Sequence, residues 1–334
     1  MRLTPLATLI PVLLSFAPLP AAAFNCADAN DKVSKAICAD PAAKTADEEM
    51  TRAYDAFRQS LPADRQSFLR SQQRAWLKIR NAICTGWDEK AAVDSACLVK
   101  EAKARTAMLQ PKPEFAAAGA PAFVAAIDGR IPSGMKLSAT LIYPQVKDAS
   151  TAGLRRFNAA VKTTAEGDRE WRTIAAKDVD VGSGSYEYIQ QYTLPYASGE
   201  LISTGISIYS YTGGAHGMSV VRGVNTLTKL DRPLRAKDII APEKLADATR
   251  FCRAVLGKIK AGNGTDPATD SFLTDDAIVG NMKEDQNWLI SKEGASVHYN
   301  PYDIGSYAEG AFDCLIPWAD LKGFAPASSP LPFS

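Results

Sequence analysis

The segment Gln110-Pro-Lys-Pro-Glu-Phe-Ala-Ala-Ala-Gly-Ala-Pro121 separates two regions of the sequence that differ in their periodicity. Two prolines one residue apart, followed by small residues, are typical of a linker, because proline removes a backbone donor and restricts the chain. We therefore predict that residues 111–121 connect a domain at 24–110 to a domain at 122–325.

Residues 24–110 have apolar side chains at helical spacing, which predicts a small helical bundle. Thr45-Ala-Asp-Glu48 has the pattern of a capping box at a helix start, and Pro62 indicates where the next helix begins. Each apolar face needs a partner, so the helices should pack together, with Trp76 in the core. The three stripes are Met50, Ala53, Tyr54, Phe57 and Leu61; Phe68, Leu69, Gln72, Trp76, Ile79 and Ile83; and Leu98, Ala102, Arg105, Met108 and Leu109.

Beyond the linker the period changes to two, which indicates strands. Helices are predicted around Leu154, Phe157 and Val161 and after Pro242. Strands and helices do not alternate regularly, which favours an antiparallel sheet with helices over a doubly wound parallel fold. The whole chain is thus predicted to be α+β. The predicted strands are Leu137 to Tyr143, Tyr186 to Tyr192, Leu201 to Tyr209, Asn287 to Ser291, Ala295 to Tyr299 and Ala311 to Ile316.

The first 23 residues have the features of a signal peptide. Arg2 supplies a positive charge, Leu6 to Phe16 is largely apolar, and Ala21-Ala-Ala23 offers small residues for cleavage near Ala23. We therefore expect a bacterial periplasmic or secreted protein. Lipid attachment at Cys26 is the alternative. No segment has the roughly 20 apolar residues that a transmembrane helix needs.

Six cysteines in an exported chain predict disulfides, and fifteen pairings are formally possible. Proximity in sequence favours pairs within each domain, and no C-x-x-C motif points to zinc or redox chemistry. The expected pairs are Cys26–Cys38, Cys84–Cys97 and Cys252–Cys314.

The charge distribution argues against nucleic acid as a partner. Residues 24–112 carry 15 basic and 12 acidic side chains, and residues 113–334 carry 22 and 25. Binding to phosphates requires a concentrated basic face, which these interleaved charges do not provide.

The sequence offers no recognisable catalytic or metal-binding set. His216 and His298 stand 82 residues apart, whereas a catalytic zinc takes three protein ligands. There is no G-x-S-x-G motif. Two carboxylates of a glycosidase could still converge in the fold, but no pair stands out. We predict no catalytic residue, no metal and no cofactor.

Two segments could form a binding surface. In Tyr211-Thr-Gly-Gly-Ala-His-Gly217, Gly213 and Gly214 allow close backbone approach, while Tyr211 and His216 offer rings. The second segment contains Tyr299, Tyr302 and Tyr307, and tyrosines on loops are rigid interface anchors. The alternative is that the first segment is a tight connection between strands and the second packs over a sheet edge.

Four cysteines, Cys26, Cys38, Cys84 and Cys97, frame the string Gln73-Arg-Ala-Trp76-Leu77. With this pattern, residues 26–109 resemble the N-terminal domain of LprI-type lysozyme inhibitors. That family usually has an acid where this chain has Asn81, which weakens an ion pair at that position. The resemblance implies a disulfide-stapled helical domain linked to lysozyme. The matching residues are Cys26, Ile37, Cys38, Asp47, Tyr54, Gln73, Arg74, Ala75, Trp76, Leu77, Arg80, Cys84, Cys97, Leu98 and Arg105.

The second region contains Gly213-Gly-Ala-His-Gly217 and, further along, Pro301, Tyr302, Tyr307 and Gly310. With these strings, residues from about 121 to 323 resemble the extracellular domain of RsiV-type anti-sigma factors. A related module accompanies some peptidoglycan deacetylases. The resemblance implies lysozyme binding, since RsiV-type proteins sense lysozyme with this domain. Signalling to a sigma factor is not implied, because their membrane helix and sigma-binding segment have no counterpart here. The matching residues are Tyr143, Pro144, Tyr211 to Gly217, Asn225, Asp238, Asn287, Trp288, Gly294, Pro301, Tyr302, Tyr307, Gly310, Ile316 and Pro317.

Both resemblances point to an envelope protein that binds or inhibits lysozyme or binds a peptidoglycan-related ligand. Two alternatives stay open. One is an enzyme acting on cell-wall glycan with His216 in its site, and the other is a structural or stress protein of the envelope without lysozyme contact. The oligomeric state does not follow from the sequence.

Overall fold

A computed structural model describes residues 25–86, 92–130, 137–167 and 186–333. The predicted signal peptide lies outside the described residues. The helices are α1 Lys32–Ala39, α2 Pro41–Ser60, α3 Ala63–Thr85, α4 Ser95–Leu109, α5 Ala152–Glu166, α6 Ala236–Ile239, α7 Leu245–Gly262, α8 Asp275–Met282 and α9 Trp318–Phe324. The strands are β1 Phe115–Ala116, β2 Phe123–Arg130, β3 Leu137–Val146, β4 Tyr186–Ala197, β5 Leu201–Tyr211, β6 Met218–Leu227, β7 Arg232–Pro233, β8 Trp288–Ile290, β9 Gly294–Tyr299 and β10 Phe312–Pro317.

Three of the four N-terminal helices, α1, α2 and α4, begin at an aspartate whose side chain caps the helix. Asp40 caps α2, its carboxylate accepting from the backbone N–H groups of Ala42 (2.8 Å) and Ala43 (3.2 Å), with Pro41 in the first helical position. The predicted capping box at Thr45 is therefore wrong. Thr45 lies inside α2, where its hydroxyl donates to the Pro41 carbonyl at 2.9 Å. An Asp cap followed by proline fixes the helix start one turn earlier.

The three disulfides predicted from sequence proximity are confirmed. Cys26–Cys38 and Cys84–Cys97 staple the helical region, and Cys252–Cys314 joins α7 to β10. Closing these loops restricts the unfolded chain, which in the chain-entropy model contributes roughly 3–4 kcal/mol per bridge. The helical region, with its small core, benefits most from this.

The predicted α+β class is confirmed, with one large and one small sheet. The large sheet has the strand order β2-β3-β4-β5-β6-β7, and β1 pairs with β4 beside this path. The pairs β3–β4 and β1–β4 are parallel, and the other pairs are antiparallel. Helix α5 packs on this sheet through Phe157 and Val161, which are fully buried. The small sheet, of order β10-β9-β8, packs with α7 and α8 around a second core that contains Trp288.

The helical region and the large sheet share a hydrophobic core. Phe57 of α2 and Leu69 of α3 are buried in the same cluster as Leu141 of β3. The Tyr192 hydroxyl of β4 donates to the carbonyls of Ala107 (3.0 Å) and Met108 (2.9 Å) at the end of α4. This packing fixes the helices against the sheet through apolar contact and hydrogen bonds together.

The segment predicted as a linker is tied to the sheet by its backbone. Phe115 and Ala116 pair in parallel with Tyr196 and Ala197 of β4, and the Ala117 N–H donates to the Ala197 carbonyl at 2.8 Å. The domain boundaries stay a prediction. Residues 115–117 of the predicted linker are hydrogen-bonded to β4.

Among the residues that the structure describes, no helix combines the length and the apolar character needed to cross a membrane.

Candidate functional site

The glycine-rich string forms the connection between β5 and β6. Gly213 and Gly214 have φ angles of +99° and +95°, a backbone conformation that residues with a Cβ adopt only under strain. The Tyr211 hydroxyl donates to the Gly214 carbonyl at 3.0 Å and closes the turn. The backbone thus requires glycine at both positions, as expected if this segment is a tight connection between strands.

The second segment begins at Tyr299, the last residue of β9. Its remaining residues, 300–311, connect β9 to β10 and are hydrogen-bonded to β6. The Asn300 side chain accepts from the Val221 N–H at 2.6 Å, and Asp303 accepts from the Asn300 N–H at 2.7 Å. Tyr302 has a φ of +76° and its side chain is 51% exposed. A bulky residue at positive φ is uncommon, and the surrounding contacts must hold it there.

The fold brings the two segments together. The His216 ring stacks on the Tyr307 ring with centroids 3.8 Å apart and planes 16° apart. The Tyr307 hydroxyl donates to the Gly217 carbonyl at 2.8 Å, and the ring of Tyr302 lies 5.9 Å from that of Tyr307. We call the patch formed by Tyr211, His216, Tyr302 and Tyr307 the aromatic surface.

Tyr299 does not lie on the aromatic surface. Its side chain is fully buried in the core around Trp288, and burial raises the pKa of its hydroxyl far above the ordinary value. Tyr299 belongs to β9 and points inward, whereas Tyr302 follows the strand and points outward. It therefore offers no area to a partner.

A buried lysine supports the loop that carries Tyr307. Lys260 of α7 is fully buried and forms ion pairs with Asp270 (2.6 Å) and Glu309 (3.0 Å). Its ammonium also donates to the Ile304 carbonyl at 2.7 Å. Glu309 in turn accepts from the Ser306 N–H at 2.8 Å and closes the short 3-10 turn Tyr307–Glu309. The position of Tyr307 thus depends on a charge inside the core.

The ion pair predicts a dependence of stability on acid. The Ser306 N–H, followed by Lys260, lowers the pKa of Glu309 to about 2 from an ordinary value of 4.5. Because the folded-state pKa is lowered, ionised Glu309 stabilises the fold above about pH 4.5, and this contribution is lost as the pH falls towards about 2. We expect the difference in unfolding free energy between the wild type and Glu309→Gln to shrink over this range. Urea unfolding at several pH values measures it, and a difference that stays constant would contradict the assignment.

The aromatic surface has no evident acid–base pair. His216 Nδ1 lies 3.0 Å from the Gly217 carbonyl, and His298 pairs with Asp313 at 3.0 Å across β9 and β10. Within the described residues, no three His, Cys, Asp or Glu side chains converge as metal ligands. The arrangement offers rings, hydroxyls and one imidazole for contact with a partner.

A second cluster lies in the helical region, around Trp76. The guanidinium groups of Arg80 and Arg105 lie 5.2 Å and 5.5 Å from the centre of the Trp76 ring. Arg80 pairs with Asp47 at 2.7 Å and also donates to the Asn81 side chain. Asp47 therefore supplies the acid that Asn81 lacks.

Part of the stripe predicted on α3 faces outward. Ile79 and Ile83 are 54% and 59% exposed, so the prediction that they pack inside the bundle is wrong. Trp76 is only partly buried. Trp76 and Arg80 are four residues apart, which places them on the same face of α3, and this spacing could have indicated the cluster. The spacing alone does not show whether that face is exposed to solvent.

Comparison with family models finds a match for the helical region. Residues 26–109 match the model described as "Lysozyme inhibitor LprI". These helices form an LprI-like domain. The arginine–tryptophan cluster, both N-terminal disulfides and Asp47 all lie within the matched range.

The region after the LprI-like domain matches two further models. Residues 124–219 match "Deacetylase PdaC", and residues 237–319 match "Protein of unknown function (DUF3298)". The aromatic surface draws Tyr211 and His216 from the first range and Tyr302 and Tyr307 from the second.

Two crystal structures share part of the chain trace. A DUF3298 family member from Bacteroides fragilis NCTC 9343 has 18% identity and a TM-score of 0.46, covering 64% of this chain and 96% of its own. A DUF3298 family protein from Pseudomonas aeruginosa PAO1 has 14% identity and a TM-score of 0.46, covering 62% of this chain and 95% of its own. A search of curated proteins found no match.

Proposed function

We propose that this protein binds lysozyme in the bacterial cell envelope and inhibits it by covering the enzyme's substrate cleft. The observation that carries the proposal is the match of residues 26–109 to the lysozyme-inhibitor model. The three disulfides support a location outside the cytoplasm, where such bonds persist. A stable inhibitor complex would bury about 1,200–2,000 Å² in total.

The aromatic surface is the contact that we propose for lysozyme. Tyrosines give large contact areas and lose little conformational freedom on binding, because they have only two side-chain torsions. Tyr302 is the most exposed of the three tyrosines, and the loop beneath it is held by hydrogen bonds to β6 and by the Lys260 ion pairs. A rigid, exposed ring of this kind has the properties of an interface hot spot.

The sign of the net charge of residues 113–334 also favours lysozyme as the partner. Residues 113–334 carry 22 basic and 25 acidic side chains, and many lysozymes are strongly basic. Opposite net charges speed the encounter of two proteins, although an excess of this size contributes little to affinity.

The proposal is tested with the full mature chain against c-type, g-type and i-type lysozymes. We expect binding by calorimetry and inhibition of cell-wall lysis for at least one class. A parallel sedimentation assay with insoluble peptidoglycan distinguishes a wall ligand from an enzyme partner. Absence of binding to all three lysozymes contradicts the proposal. Deacetylation or hydrolysis of wall glycan that is abolished by His216→Ala would instead support an enzyme.

Tyr302→Ala tests the aromatic surface. We expect the dissociation constant for lysozyme to rise about 30-fold, equivalent to about 2 kcal/mol, because the ring is an exposed anchor. The melting temperature should barely change, since half of the side chain is already in solvent. The matched control is Leu315→Ala, an exposed apolar residue on β10 outside the aromatic surface. Equal affinities for the two variants would exclude Tyr302 from the interface.

A further inference from the structure

A cleft separates α3 and α4 of the LprI-like domain from the strands β3 and β4. Its volume is about 510 Å³, within the range of about 300–1,000 Å³ that is typical of small-molecule sites. It is too small for a folded partner and large enough for a short peptide. Its walls include Trp76, Ile79, Ile83, Glu101, Arg105 and Glu187.

Arg105 brings a buried positive charge to this cleft. Its side chain is 4% exposed, and Nε donates to the Gln73 side chain at 3.0 Å. Its Nη2 is buried without an acceptor, and no carboxylate of the described residues forms an ion pair with it. Burial lowers the pKa of Arg105 to about 10, so the group stays charged at neutral pH.

The contrast with Arg80 shows what Arg105 lacks. Both guanidinium groups lie over the Trp76 ring, and both side chains are almost fully buried. Arg80 has Asp47 as its counter-ion at 2.7 Å. A buried charge without a counter-ion is costly, and a carboxylate that reaches Nη2 would accept a charge-assisted hydrogen bond from it.

The other side chains that line the cleft indicate which further groups a ligand should have. Ile79 and Ile83 are more than half exposed and stand one helical turn apart, so they offer an apolar contact beside the charge. Glu101 and Glu187 also line the cleft, which disfavours a ligand with more than one negative charge. A single carboxylate next to an aliphatic group meets both conditions.

We propose that this cleft binds a short peptide through its free α-carboxylate, with Arg105 pairing the carboxylate and Ile79 and Ile83 contacting an aliphatic side chain. This site goes beyond the proposed function and shares no residue with the aromatic surface. Lysozyme binding can therefore fail while this site stands, and the reverse is equally possible.

The test uses N-acetyl-L-leucine as the probe and N-acetyl-L-leucinamide as its uncharged control. The full mature chain is labelled at the isoleucine methyl groups and titrated by NMR. We expect N-acetyl-L-leucine to shift the methyl signals of Ile79 and Ile83 and the amide to leave them unchanged. Absence of shifts with the acid, or equal shifts with the amide, overturns the proposal.

A third probe identifies the source of the carboxylate. The amidated dipeptide N-acetyl-Glu-Leu-NH₂ carries its charge on a side chain and has no free α-carboxylate. We expect binding at least tenfold weaker than that of N-acetyl-L-leucine. If the two probes bind with equal affinity, the cleft also accepts the carboxylate of an acidic side chain of the ligand, and the α-carboxylate assignment is overturned.

Two variants test the residues. Arg105→Lys keeps the charge but loses the planar fork, and we expect binding roughly tenfold weaker. Ile83→Ser removes exposed apolar area, so it should weaken binding roughly fivefold without affecting folding. The control for Ile83→Ser is Ile259→Ser, an exposed isoleucine outside the cleft that should have no effect. Unchanged affinity in both cleft variants, with circular dichroism showing intact folds, would overturn the proposal.

Discussion

Replacing Lys260 by methionine is expected to lower the free energy of unfolding by about 3–5 kcal/mol. Methionine has a similar length and suits an apolar site, but it leaves Asp270 buried without its counter-ion. The Asp270 side chain is 4% exposed, so water does not compensate for the loss. The change also removes the donor to the Ile304 carbonyl and the ammonium 4.8 Å from the centre of the Phe312 ring.

The control for this variant is Lys229→Met. Lys229 pairs with Glu200 at 2.6 Å, but both side chains are more than 60% exposed. An exposed pair of this kind contributes at most about 1 kcal/mol, because solvent screens it. Urea unfolding followed by circular dichroism compares the two variants. Similar losses for both would show that burial of the Lys260 ion pairs does not matter.

Leu69→Ala is expected to destabilise the protein by about 2–5 kcal/mol, because it opens a cavity in a fully packed core. Leu69 has no exposed surface and shares its core cluster with Leu141 of the large sheet. The cavity therefore lies where the helical region meets the sheet. We expect faster amide exchange in β3 and β4 as well as in α3.

Ile79→Ala, on the same helix, is the matched control. Its side chain is 54% exposed, and surface changes of this kind cost within about 0.5 kcal/mol. If the helical region and the sheet unfold independently across residues 111–121, exchange in the strands of Leu69→Ala will equal that of the wild type. That outcome would support two autonomous domains and contradict a single cooperative unit.

Local signals in the sequence predicted much of the fold. Alternating β-formers located β3, β4, β5, β8, β9 and β10 to within a few residues, since a period of two follows from the pleat itself. The strands β2 and β6 and the two-residue strands β1 and β7 were not predicted. The two N-terminal cysteine pairs followed from closeness in sequence, because short loops close at a low entropic cost, and Cys252–Cys314 followed as the remaining pair. The turn at Gly213 and Gly214 followed from the need for positive φ.

The local sequence patterns could not predict how distant elements pack on one another. A period shows which side of an element is apolar but not which element covers it, so the exposure of Ile83 and the burial of Leu69 against the sheet could not be predicted. Tyr299 and Tyr302 stand three residues apart in one tyrosine-rich string, and only the end of β9 between them sends one ring inward and the other outward. The stack of His216 on Tyr307 joins residues 91 positions apart, and no local pattern encodes such a contact.

The core that α2 and α3 share with the sheet has a consequence for biosynthesis. A chain that emerges from its N terminus completes these helices before strand β4 exists, since Tyr192 follows Leu69 by more than a hundred residues. Until β3 and β4 arrive, Phe57 and Leu69 present an uncovered apolar face, which is the kind of surface that chaperones hold and that drives aggregation. The two N-terminal disulfides close within residues 26–97 and can form during this interval. The helical region is therefore stapled early but waits for the later strands to bury its face.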